Sequence, residues 1–179
     1  MKNLILLFSS LLSIHSFNIL NNYIPSSYHK HFFLCDSIHP NMRETFYEAT
    51  KNINKYHIHH LSLKQGYTEP IDGNNINDVC SYDGMNGYYG YTKTFGTNET
   101  DIYISNTLLN TQNTLYNVIY HEFIHSLGLN HTIDKDGIMN YKMRTDRNGN
   151  ILEDSNKLYV SMDDIKGLRY IKNNLCELD

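Results

Sequence analysis

The sequence predicts one domain of mixed α/β type, and three observations carry that prediction. Apolar residues recur at helical spacing over residues 41–56 (Met42, Phe46, Ala49, Ile53) and again over 113–127 (Leu115, Val118, Ile119, Phe123, Leu127), which places them on one face of a helix. Between these segments lie β-prone runs at 57–63, 88–95 and 101–105, separated by stretches rich in Gly, Asn and Asp. The length of 179 residues suffices for one sizeable core and is short for two.

Taken in order, residues 1–16 read as a secretory signal peptide. Lys2 supplies the positive start, residues 4–12 the apolar centre and Ser16 a small residue for cleavage. That apolar run is too short to span a bilayer, so no stable membrane insertion is expected. Residues 17–40, with Pro25, Ser26, Ser27 and Pro40, read as a short irregular lead-in. The helix over 41–56 follows, then the strand over 57–63. On a strand, His57 and His59 share one face and His60 takes the other, so the three do not converge on one ion. Residues 64–87 read as loop with one strand inside, and 88–95 and 101–105 as two further strands. Asn98-Glu99-Thr100 is a glycosylation sequon in an expected exposed turn.

The formal net charge of −4 gives no basic footprint for nucleic acid or an anionic membrane surface, and both are excluded as partners. Export to an oxidising compartment lets the three cysteines, Cys35, Cys80 and Cys176, form one disulfide and leave one thiol. Three pairings are open.

The chemistry concentrates in the second helix and the residues that follow it. His121 and His125 are four apart and share a helix face, so both point at one metal ion. Glu122 follows the first ligand, where it holds a water beside the metal without binding the metal. Gly128 takes the left-handed conformation that ends a helix, and the chain then turns back to bring His131 to the same ion. Three imidazoles leave the fourth position of a tetrahedral Zn2+ open, which is the catalytic pattern. HExxH alone arises by chance on amphipathic helices; HExxHxxGxxH followed eight residues later by Met139, within Gly137-Ile138-Met139-Asn140-Tyr141, is far more specific.

On these residues the chain resembles the metzincin zinc peptidases, and within them the matrixins (the matrix metalloproteinase catalytic domain). Thr132 after the third His and the close spacing to Met139 match the matrixin form. A second match lies at Val160-Ser161-Met162-Asp163-Asp164-Ile165-Lys166-Gly167-Leu168-Arg169, similar to the matrixin C-terminal helix, with Ser161 as its N-cap and Asp163 and Asp164 in its first turn. The resemblance implies a twisted, mostly parallel five-stranded sheet with about three helices, and an active-site cleft below an edge strand that pairs with an extended peptide. It implies a catalytic domain over 41–179, a Met-turn under the metal, and a segment at 142–158 that frames the S1′ pocket. It also implies Cys35–Cys176 as the disulfide, because the ends of the first and last helices lie close in that fold.

Several features depart from the family. The lead-in is too short for a matrixin pro-domain, and the family's cysteine-switch motif does not occur; Cys35-Asp36 as a plug on the zinc is a lesser alternative to a disulfide. Tyr103 stands in the strand that carries a structural-zinc histidine in typical matrixins, so that second zinc is not carried over. Asp146-Arg147-Asn148-Gly149-Asn150 only weakly resembles a calcium loop, with Lys157 where the closing Glu belongs, and reads as a turn tip. Calcium has no clear motif. Tyr141 is a zinc or oxyanion residue in astacins and serralysins, and structural in matrixins.

The resemblance therefore implies a secreted, monomeric zinc metalloendopeptidase acting on protein or peptide substrates, with His121, His125 and His131 as ligands and Glu122 as general base and acid. Two other classes fit parts of the pattern: a secreted zinc-binding protein without catalysis, and a structural zinc protein whose metal a fourth side chain closes. Glu122 argues against the first, since binding zinc does not need that carboxylate, and the second needs Cys35, Asp36 or another side chain on the ion.

Overall fold

The computed structural model describes residues 29–56, 60–66, 77–83, 88–95, 99–132, 137–140 and 160–174. The elements run β1 (His29–Leu34), α1 (Pro40–Asn54), β2 (His60–Gln65), β3 (Asp78–Tyr82), β4 (Gly90–Phe95), β5 (Glu99–Ser105), a 3-10 turn (Asn106–Asn110), α2 (Gln112–Ser126) and α3 (Met162–Asn174). The five strands form one sheet in the order β2-β1-β3-β5-β4. β1, β2, β3 and β5 are parallel, and only β4, at the edge, runs antiparallel to its neighbour β5. This is the five-stranded, mostly parallel sheet with three helices that the resemblance implied.

α1 connects the parallel strands β1 and β2, as a crossover helix must. Pro40 occupies its first turn, where no backbone N–H is needed, and His39 caps it by accepting from Asn41 N (3.2 Å). Its buried face is Met42, Phe46, Ala49 and Ile53, the four residues that predicted it. α2 is buried almost all round, and Phe123 from α2 meets Phe32 of β1 and Phe46 of α1 edge-to-face, with ring centroids 5.3 and 6.2 Å apart. The core thus lies between one face of the sheet and these two helices. α3 begins with a reciprocal cap in which Ser161 Oγ accepts from Asp164 N (3.1 Å) and Asp164 Oδ2 accepts from Ser161 N (2.9 Å). Ser161 is the N-cap, as expected.

Two expectations are corrected. Residues 17–40 are not irregular throughout, because His29–Leu34 is β1, a strand paired with two neighbours. Its inward residues are Lys30, Phe32 and Leu34, and the lysine breaks the apolar alternation by which a strand is recognised. The disulfide is Cys35–Cys80, with Cα atoms 5.0 Å apart, not Cys35–Cys176. Both differences follow from β1. Leu34 pairs with Val79 in parallel register, so a Cys following each strand position arrives beside the other. With Cys35 in a disulfide, it does not act as a thiolate plug on a metal. The strand expected at 57–63 runs from His60 to Gln65.

Other expectations concern residues outside those described: the signal peptide at 1–16, His57 and His59, the Asn98 sequon, Tyr141, the 142–158 segment with its weak calcium loop, and Cys176. Among the described residues, no helix is long and apolar enough to cross a membrane.

Lys30 is buried beneath the sheet. Its Nζ donates to Thr100 Oγ1 of β5 (2.5 Å) and to the Ser126 carbonyl in the last turn of α2 (2.9 Å), where the helix dipole favours a cation. Burial pulls its pKa from 10.5 down to about 7. The folded value lies below the unfolded one, so the contribution of Lys30 to stability is complete above pH 10.5 and falls away as pH drops toward 7. Lys30→Met removes that dependence. The stability difference, wild type minus variant, is expected to grow by a few kcal/mol between these limits, and urea unfolding of both proteins across that range measures it.

Candidate metal centre

Local chain geometry brings the three histidines together. His121 and His125 are one turn apart on α2. α2 ends at Gly128, whose φ of 94° is the left-handed conformation expected for it, and Gly128 N donates to His125 O (2.9 Å). The chain reverses and His131 returns over the helix. Its Nε2 lies 3.2 Å from His121 Nε2 and 3.2 Å from His125 Nε2. Among the described residues these are the three metal-capable side chains whose ligand atoms all lie within 4.8 Å of one another.

The donor set fits a zinc ion. Nitrogens at about 2.0–2.1 Å from a tetrahedral ion are about 3.3 Å from one another, close to the separations found here. His121 Nδ1 donates to Ile138 O and His125 Nδ1 to Leu129 O, each at 2.7 Å, which fixes the tautomers and leaves an Nε2 lone pair on each ring. His131 Nε2 faces both of these lone pairs, and an ion placed among the three nitrogens would be met by all of them. Burial keeps the rings neutral, pulling His121 down to about 4 and His125 to about 3 from the usual 6.5. His131, more open to solvent, is lowered in the same direction by burial.

The residues after His131 form a turn held to the centre by hydrogen bonds. Thr132 N donates to Met139 O (2.9 Å), Asn140 N to Gly137 O (3.2 Å), and Met139 is fully buried. This turn also supplies the Ile138 carbonyl that orients His121.

Glu122 is buried, 5% exposed, and its carboxyl lies under β4. Burial pushes its pKa from 4.5 up to about 7, against a smaller opposing effect from a hydrogen bond with Thr92. Thr92 Oγ1 lies 2.7 Å from Glu122 Oε2 and 2.9 Å from the Glu122 carbonyl. Gly90, two residues earlier on the same face of β4, lets the strand come this close: a Cβ there would meet Val118 Cγ1 at 2.7 Å and Glu122 Cγ at 2.9 Å. Neither residue carried a recognisable motif. The signal was small residues at alternate positions (Gly90, Thr92, Thr94) facing inward, with Tyr91, Lys93 and Phe95 on the exposed face. Gly90→Ala is therefore expected to cost about 1–3 kcal/mol of stability and to lower peptide hydrolysis by displacing Glu122. Thermal unfolding and a peptide assay on the same preparation check both parts.

Tyr103 points away from this centre. It stacks on Tyr91 (4.6 Å between centroids), lies 5.6 Å from Tyr82, and donates to Asp101 Oδ2 (3.0 Å).

A family model described as Matrixin matches residues 32–172, most of the chain and all of the metal centre. The chain belongs to the matrixin family. This matrixin is accordingly a zinc metallopeptidase, a hydrolase of protein or peptide substrates, and three converging histidines suit its catalytic Zn2+. No curated protein matches it in sequence. Its fold is similar to that of several solved structures. A hatching enzyme zinc-protease, high choriolytic enzyme 1 from the medaka Oryzias latipes, gives a TM-score of 0.59 at 12% identity, covering 89% of this chain and 100% of that one. Archaemetzincin from Methanopyrus kandleri gives 0.55 at 15% identity, covering 83% and 98%. The GM1-bound ECX AB5 holotoxin gives 0.53 at 13% identity, covering 86% and 81%. At these identities the likeness is one of fold.

Proposed function

We propose that this matrixin is a secreted endopeptidase in which His121, His125 and His131 hold the catalytic zinc and Glu122 is the general base and then the general acid. The observation that carries this reading is the convergence of three oriented Nε2 atoms next to a buried carboxyl roofed by the edge strand. Bound there, Zn2+ supplies Lewis-acid polarisation of a water molecule and of the scissile carbonyl. Glu122 takes a proton from the attacking water and passes it to the departing amine. Burial raises its pKa above the ordinary carboxylate range, the direction that suits a carboxyl which must release a proton as well as accept one. The main chain of β4, free of a strand neighbour on its outer side in the described sheet, receives the substrate as an added strand and sets the scissile bond above the centre. Removal of residues 1–16 during export, an oxidised Cys35–Cys80 pair and a monomeric product complete the proposal.

The test is to express the chain in a secreting host, determine the N-terminus and mass of the exported product, load it with zinc and digest a quenched fluorogenic peptide library. Cleavage at internal bonds by a monomer that starts just after residue 16 is expected. Retention inside the cell overturns the export assignment. Zinc-loaded protein that cuts nothing, or only terminal residues, overturns endopeptidase action.

A further inference from the structure

We infer that Thr92 is a positioning residue for the Glu122 carboxylate, held out to it by the edge strand. The inference rests on the general-base role proposed for Glu122.

Thr92 faces inward from the middle of β4, and its hydroxyl has one proton for two nearby acceptors, Glu122 Oε2 at 2.7 Å and the Glu122 carbonyl at 2.9 Å. An ionised carboxylate is the stronger acceptor, so the proton goes to Oε2. The other carboxylate oxygen, Oε1, is the one a Cβ on Gly90 would approach to 3.0 Å. β4 thus donates a hydrogen bond to one oxygen and, having no side chain at Gly90, leaves the space beside the other open. A glutamate side chain left to itself samples many rotamers, and each reorientation needed before proton transfer slows the reaction.

The residue type suits this purpose better than packing alone explains. A half-buried inward position on a strand is filled as well by Val, which has the same shape and an equal β preference. Thr adds only the hydroxyl, and its β-branch leaves few χ1 states, so Oγ1 is fixed relative to the strand backbone. If β4 also carries the substrate, base and scissile bond are referred to the same piece of main chain. Hydroxyl loss then affects the chemical step and leaves substrate pairing intact.

The experiment measures kcat and KM for a cleaved fluorogenic peptide with zinc-loaded wild type, Thr92→Val, Thr92→Ser and Glu122→Gln, with zinc content and Tm taken on each. The expected result for Thr92→Val is a kcat about 10- to 100-fold lower, with KM and zinc content within about twofold of wild type. Thr92→Ser restores kcat to within about threefold of wild type. A Thr92→Val enzyme with wild-type kcat, a loss that appears in KM instead, or a Ser variant as slow as the Val variant overturns the inference while inactive Glu122→Gln leaves the base assignment standing. An active Glu122→Gln overturns that assignment and the inference with it. Should the Val variant lose its fold, Thr92→Ala is read by the same criteria.

Discussion

Glu122→Gln is expected to give a folded, zinc-loaded protein whose peptide hydrolysis is reduced by about 10³-fold or more. Gln keeps the length and shape of the side chain and still offers a carbonyl oxygen to Thr92, so β4 stays seated on α2. It has no basic oxygen. General-base contributions are about 10²–10⁴-fold, and the double role proposed for Glu122, base and then acid, belongs at the upper end of that range. The ligands His121, His125 and His131 are untouched, so zinc content stays near that of wild type. Stability provides a second readout in the zinc-free protein. The folded pKa of Glu122 is raised from 4.5 to about 7, so the carboxyl's contribution to stability is complete below pH 4.5 and is lost as pH rises through 7. Wild type therefore loses stability relative to the Gln variant across that interval. Thermal melts of both proteins over that range check the sign. Hydrolysis by the variant within about tenfold of wild type would remove Glu122 from the mechanism.

The metal centre was legible in the sequence because one ion dictates residue type and spacing within a short stretch. His121 and His125 share a helix face, Gly128 takes the left-handed conformation expected of it with φ of 94°, and Met139 is buried. α1 and α2 were legible for a similar reason, since their apolar period is local. What failed depends on residues far apart in the chain. β1 was missed because Lys30 stands at an inward position, and its burial makes sense only once Thr100 and Ser126 are seen beside it. With β1 missed, Cys35 had no reason to meet Cys80, and a resemblance supplied Cys176 instead. Gly90 and Thr92 act on Glu122 some thirty residues away, through an approach of strand to helix that no local pattern encodes.

Stripping zinc with a chelator is expected to abolish hydrolysis and also to make the fold sensitive to mild acid. Three imidazoles are gathered at one point, and burial lowers the pKa of His125 to about 3 and of His121 to about 4. His131 is lowered as well. Each folded value lies below the usual 6.5, so between 6.5 and the folded pKa the unfolded chain binds protons that the folded chain refuses. Their contribution to stability is complete above pH 6.5 and drains away as pH falls toward 4. The zinc-free Tm should therefore fall from about pH 7 to about pH 5, and fall further in Glu122→Gln, which lacks the opposing gain from protonation of the Glu122 carboxyl. In the holoprotein the ion occupies the same Nε2 lone pairs and binds only the folded arrangement, so it adds stability by mass action and holds protons off until they outcompete it. The holoprotein Tm should therefore stay level to a lower pH, then fall as zinc is released, with free zinc appearing over the same interval. Zinc-free protein with a flat Tm over that range would mean that the imidazoles are hydrated and mobile without the ion, and the centre would then be assembled by zinc rather than built in advance by α2, Gly128 and the Met139 turn.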